Sequence, residues 1–239
     1  MLNLIGATVG MMAVAINLVA MAGVLPLSPP QRLVLAGGAG AWVGLAIGLG
    51  AAGALVFSPE QKVPLVGVLF AVPLLIGAVL WFTVPRFRAA LMAVPMPLLI
   101  GLNAMRLFGA LFLILAAVGR LSGPFPYSAG WGDVITGLLA IPLALVVARE
   151  PSPPGWIIGA WNLFGTLDLF AAVALGLTSA QGSPLQVIHA GVGSEAMQHL
   201  PYSLVPTVLV PTVLVPFYLV THAVIAAQLA AGRRAAPGA

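Results

Sequence analysis

Two residues in this sequence carry charge where their surroundings are almost wholly apolar: Arg106, in LIGLNAMRLFGALFL, and Asp168, in WNLFGTLDLFAAV. An ionisable group at such a place costs at least ~2.5 kcal/mol in hydrocarbon and faces a partner or a cavity. At 1.5 Å per helical residue, Arg106 lies ~20 Å from the end of its segment near Arg120, and Asp168 ~17 Å from the end of its own near Ser179. The depths match within a turn, which predicts an Arg106–Asp168 ion pair that neutralises two charges neither of which is solvated alone. Asn103, three residues before Arg106, shares its face. Trp161, Gly165 and Asp168 make one stripe of their helix, with Asn162 on an adjacent one. Tyr218 and His222 stand four apart on the last apolar segment, with Tyr218 ~18 Å from Pro206 and therefore level with the pair. These residues predict a polar pocket between the fourth, sixth and seventh spans. Two chemistries fit it: a lock on helix register, or a site for a small-molecule ligand or proton in which Asp168 or His222 changes charge.

A second constellation lies in SAQGSPLQVIHAGVGSEAMQHLPYS, which holds His189, Glu195, Met197 and His199. Imidazole, carboxylate and thioether are ligands for zinc or copper, but their spacing matches no metal motif, so no metal is assigned. Asp133, in SAGWGDVITG, reads as the N-cap of a fifth span on the outer side, accepting backbone N–H bonds and pairing with Arg120. His189, Glu195, His199 and Asp133 are thus the outer-face candidates, with Asp133, His189 or His199 as the acid/base group of a membrane enzyme acting on a lipid or quinone if there is one.

These residues need helices to hold them. Of 239 residues, 61% are hydrophobic and 6% charged, against about 25% charged in a soluble domain. The class is an all-α polytopic transmembrane bundle, a single domain over 1–239. About 20 apolar residues cross the hydrocarbon, and seven stretches qualify: 3–27, 33–57, 63–84, 96–119, 133–149, 156–179 and 206–231. An outer loop covers 180–205, and 85–95 reads as a short basic stretch at the interface. Arg32, Arg86, Arg88, Arg149, Arg233 and Arg234 fall on one side, Lys62 and Arg120 on the other. The positive-inside rule then puts the N-terminus outside and the C-terminus in the cytoplasm. Ala20-Met21-Ala22 fits a signal cleavage site, yet MLNLIG has no basic region, so the first span is read as retained.

The same residues exclude several functions. The net charge of +4 belongs to cytoplasmic loops and not to a nucleic-acid surface. No cysteine is present, which removes disulfides and thiol chemistry. Lys62, the only lysine, lies in a loop, leaving no Schiff-base residue in a span. DDxxD, HExxH, GxSxG and P-loop motifs are absent. His222 is the only histidine within a span, so a haem held by two such histidines is excluded; no cofactor is assigned. The partners expected are the lipid bilayer, a small-molecule ligand and, in a rival reading, subunits of a larger membrane complex. The first three spans have no ionisable residue and read as scaffold, with Gly40, Gly44 and Gly48 of the second forming a close-packing stripe.

The last span opens LVPTVLVPTVLVPFYLVTH. Pro211 and Pro216 each free a carbonyl four residues earlier. A helix starting at Pro211 leaves only Pro216 interior, and its freed carbonyl, that of Thr212, points to the same pocket. From about residue 99, MRLFGALFLILAAVGRLSG, YSAGWGDVITGLLAIPLAL, WNLFGTLDLF and VPTVLVPFYLVTHAVIAAQL follow in order. This series resembles a group of bacterial integral-membrane proteins that share an arginine, a Gly-Asp at a helix start, a Trp-Asn, and a proline-rich last span ending in histidine. The resemblance implies recurrent positions at Arg106, Asp133, Trp161, Asn162, Pro216 and His222, and implies no activity.

Overall fold

The structure, a computed structural model, describes residues 2–55, 63–150, 154–179, 185–188 and 208–235. All regular structure among them is helical: α1 Leu2–Val24, α2 Pro29–Ala51, α3 Leu65–Thr83, α4 Pro85–Met92, α5 Met96–Leu102, α6 Ala110–Ala117, α7 Phe125–Arg149, α8 Gly155–Ser179 and α9 Val215–Ala235. A 3-10 segment, Asn103–Gly109, joins α5 to α6, and a π-helical turn, Val210–Leu214, leads into α9.

Among the described residues, six helices are long and apolar enough to cross a membrane: Pro29–Ala51, Leu65–Thr83, Met96–Ala117, Phe125–Arg149, Gly155–Ser179 and Val210–Gly232. The protein is built inside out. Phe82 is 80% exposed, and Leu75, Leu138, Leu163 and Leu167 also face outward, whereas Arg106 is 2% and His222 1% exposed. Only a hydrocarbon solvent makes that distribution favourable, since in water each exposed apolar side chain forgoes its burial energy.

Local chemistry sets the helix ends. Pro29 opens α2, where a missing N–H costs nothing, and the Ser28 N–H is taken by Gln31 Oε1 at 2.9 Å. The composite crossing helix Met96–Ala117 stops at Gly119, whose φ of +70° is open to glycine at little cost. There the Arg120 N–H reaches the Leu115 carbonyl at 2.8 Å and the Gly119 N–H reaches Ala116 at 3.0 Å, the paired bonds of a Schellman end.

The expected fifth span, 133–149, begins eight residues earlier, at Phe125. Pro124 and Pro126 sit at its start, and the glycine-rich YSAGWG continues the helix. Its buried residues include Ala129, Gly130, Gly132, Thr136, Gly137 and Ala140. A face this small lets neighbouring backbones approach closely, and the packing gained offsets the poor helix propensity of glycine. Along this face α7 packs against α5, the 3-10 segment, α6 and α8. α9 lies against α3, α5 and α8, and α1 touches α2 and the π-turn.

The proline-rich stretch has an outcome of its own. Pro206 lies outside the described residues. The last crossing helix is described from Val210, so Pro211 stands in its first turn. Pro216 is interior, but the Thr212 carbonyl that it frees does not serve the polar pocket. It accepts the indole N–H of Trp42 on α2 at 2.9 Å. Thr212 itself bonds back through Oγ1 to the Val208 carbonyl at 2.8 Å. Pro216 therefore marks a packing contact between α2 and the last helix.

Two apolar cores flank the polar level. One gathers Val14, Ala46, Leu69, Leu169 and Leu214, the other Leu25, Leu99, Ile100, Ile158 and Ile225.

Candidate functional site

Arg106 sits in the 3-10 segment, where the backbone is wound more tightly than in the α5 and α6 turns on either side. Its guanidinium is the hub of the molecule. Nε donates to Asp133 Oδ1 of α7 at 2.7 Å, and Nη2 to Asp168 Oδ2 of α8 at 2.5 Å. Nη1 donates to the Gly165 carbonyl at 3.1 Å and meets His222 Nε2 of α9 at 3.2 Å. Four contacts from one side chain tie three helices to a fourth, and the planar fork of arginine is the group suited to this.

The contact with His222 fixes its tautomer. Arginine has only donors, so Nε2 must present its lone pair. The ring proton then sits on Nδ1, 2.8 Å from Asn162 Oδ1, and Asn162 returns its Nδ2–H to the His222 carbonyl at 3.2 Å. Trp161 tilts against the imidazole with ring centroids 5.3 Å apart, its own indole N–H held by the Thr136 carbonyl at 3.0 Å. His222 is thereby held as a neutral acceptor toward Arg106.

Close approach depends on glycines, among them Gly109 against Asp133, and Gly132 and Gly165. A Cβ on Gly132 would overlap the Asp168 carboxylate, and one on Gly165 would meet the His222 ring and Thr136. Gly132 immediately precedes Asp133, so the Gly-Asp pair of α7 makes room for one carboxylate while supplying the other.

Asp133 is the chief correction to the sequence reading. It caps no helix, and its ion pair is with Arg106. It lies in the interior of α7, turned toward Arg106, because the helix starts eight residues before it. Asn103 is fully buried; its Nδ2 bonds the Leu99 carbonyl of its own helix at 2.9 Å, and its Oδ1 has no hydrogen-bond partner among the described residues. Tyr218 stands beside the cluster, with the guanidinium carbon 5.9 Å from its ring centroid. Its hydroxyl accepts from Asn17 Nδ2 at 2.9 Å. The first helix is thus more than scaffold. Asn17 was missed because it is not ionisable, although a lone buried amide in an apolar helix is itself a signal. Thr136 was missed for the same reason. His189, Glu195 and His199 lie outside the described residues.

Two openings approach the cluster from opposite ends of the bundle. One is an apolar cleft between α3, α6, α7, α8 and the π-turn, enclosing about 680 Å³ of empty space together with its mouth. Its walls include Phe70, Phe112, Phe125, Val173 and Pro211, and Asp133 is its charged wall residue. The other is a groove between α3, α8 and α9, with Asn162, Thr166 and His222 among its lining residues and Ala230 toward its far end.

Residues 63–230 match the family described as Domain of unknown function (DUF8737), and the chain belongs to that family. The match takes in Arg106, Asp133, Asp168, Tyr218 and His222 and leaves Asn17 and Trp42 outside. No curated protein and no solved structure matches the chain.

Proposed function

We propose that this protein is a seven-span bundle of the bacterial inner membrane, N-terminus outside and C-terminus cytoplasmic, that binds or moves a small molecule or a proton at the Arg106 cluster. The carrying observation is one buried guanidinium shared by carboxylates of two helices and the lone pair of a histidine on a third. A lock on helix register needs one pair; this arrangement holds a surplus carboxylate and a neutral imidazole, groups that gain or lose a proton. The cleft and the groove supply an approach from each end. Winding changes at the 3-10 segment and the π-turn put non-α backbone beside the site, as is common where helices work. α1 is the remaining span: its 23 residues reach ~34 Å, enough for a crossing.

The test is proton flux into liposomes carrying the purified protein and an internal pH dye, driven by a potassium diffusion potential. Wild type is expected to acidify the lumen faster than protein-free vesicles, and Asp168→Asn to return to the protein-free rate. The reading fails if wild type matches protein-free vesicles and native mass spectra of gently purified protein carry no bound small molecule.

A second reading, an accessory subunit of a larger complex, draws on α2. A Cβ placed on Gly40, Gly44 or Gly48 meets nothing within 4 Å, so this small-residue stripe is open to a partner helix. A stoichiometric protein partner in the same mass spectra supports it, and a bare chain opposes it.

A further inference from the structure

We infer that the cleft beside Asp133 is a binding site for a lipophilic monocation, an apolar body with one positive charge, seated with that charge toward the Asp133 carboxylate. This rests on the reading of the Arg106 cluster as a ligand site and names the class of ligand.

The charge count comes first. Facing one another in the bundle are Arg106 from the 3-10 segment, Asp133 from α7, Asp168 from α8, and His222 and Tyr218 from α9. The walls given by α3, α6 and the π-turn contribute no ionisable residue. His222 accepts from Arg106 and is therefore neutral, and the Tyr218 phenol is neutral too. With both carboxylates ionised, one guanidinium against two leaves one negative charge without a counterpart among the described residues. A buried unpaired charge is costly, so the site favours an occupant that brings one positive charge.

Geometry then says where that charge goes. Asp168 packs against Gly132, and its side chain is 6% exposed, whereas Asp133 is 17% exposed and lines the cleft. The rest of the wall rejects a hydrated ion and suits an apolar body. Phe70 and Val66 come from α3, Phe112 from α6, Phe125 from α7 and Val173 from α8, with Phe112 and Phe125 edge to face at 5.2 Å. Aromatic rings also favour a desolvated cation over a neutral group of the same shape. Among the described residues an anion finds no cation on this wall, and a neutral amphiphile leaves the surplus charge unmatched.

Equilibrium binding of tritiated tetraphenylphosphonium to the full chain in nanodiscs tests the inference. One saturable site per chain is expected, weakening as the pH is lowered because a proton competes for the surplus carboxylate. Asp133→Asn is expected to weaken binding at least about thirtyfold, the lower end for losing one partner of a buried charge pair. Ala172→Trp, which fills the cleft and leaves every charge in place, is expected to do the same, so the test stands even if the first variant does not fold. Uncharged triphenylphosphine oxide is expected to compete poorly. Absence of saturable binding, equal binding by a folded Asp133→Asn protein, or equal competition by the neutral compound overturns the inference, the last two marking a cleft filled by lipid-like matter. If Asp168-dependent proton flux persists while the phosphonium does not bind, this inference alone falls; if both are absent, the reading of the cluster as a ligand site falls with it.

Discussion

Replacing Arg106 by glutamine is expected to destabilise the protein far more than replacing either carboxylate beside it. In the native cluster one cation stands between two anions, and its four contacts hold α7, α8 and α9 together. Arg106→Gln leaves Asp133 and Asp168 both buried without a counter-charge, and breaking a buried pair in this way costs about 3–5 kcal/mol. Asp168→Asn acts differently. The amide oxygen still accepts from Nη2, Arg106 and Asp133 become a balanced pair, and the loss is that of a charged hydrogen bond becoming a neutral one, about 1–2 kcal/mol. The double variant Arg106→Gln, Asp168→Asn has one unpaired carboxylate instead of two, so it is expected to be more stable than Arg106→Gln alone. The assay is unfolding in a single detergent by titration with sodium dodecyl sulfate, followed by circular dichroism, with wild type and the three variants side by side. Failure of Arg106→Gln to fold, with both other variants folded, is the same ordering in its extreme form. If Arg106→Gln is as stable as Asp168→Asn, or the double variant is the weakest of the three, charge pairing does not hold these helices together.

Three further outcomes follow from single contacts. Trp42→Phe removes the donor to the Thr212 carbonyl and is expected to cost about 1–3 kcal/mol; adding Pro216→Ala, which restores a backbone N–H for that carbonyl, should recover part of the loss in the same titration. Gly132→Ala forces a methyl group into the Asp168 carboxylate and is expected to lower stability by about 1–3 kcal/mol, whereas Gly40→Ala, in open space within a helix, should keep or raise the unfolding midpoint. Histidine-selective nitrogen NMR is expected to show His222 with a proton on Nδ1 and a bare Nε2, and Asn162→Leu, which removes the Nδ1 partner, should disturb that signal; a proton on Nε2 in the wild type would contradict the Arg106 contact.

Much of the site's composition was legible because position along a helix axis is simple arithmetic. Arg106, Asp168 and Tyr218 fall at one level by counting 1.5 Å per residue, and a charge in an apolar segment announces itself. Asp133 was hidden by a boundary. The serine, glycines and tryptophan of YSAGWG look like a loop in water, and only their fit against the 3-10 segment and α8 makes them a helix. Asn17 was hidden by its neutrality, and the Thr212 carbonyl was misassigned because a freed backbone acceptor says nothing about which neighbour will fill it.

What the sequence determined by itself was the solvent and the depth. An apolar content this high, with charges kept to the segment ends, is compatible only with helices in a membrane, and the two exceptions mark the level of the polar cluster. What only the tertiary structure decided was rotation and neighbourhood: Asp133 toward Arg106, Trp42 toward Thr212, Asn17 toward Tyr218. The physical reason is that these helices are apolar on every side, since one face meets lipid and the other meets protein. The amphipathic stripe by which a soluble helix reveals its inner face is missing. In its place the inner face is chosen by small residues that permit close approach and by polar groups that must find one another.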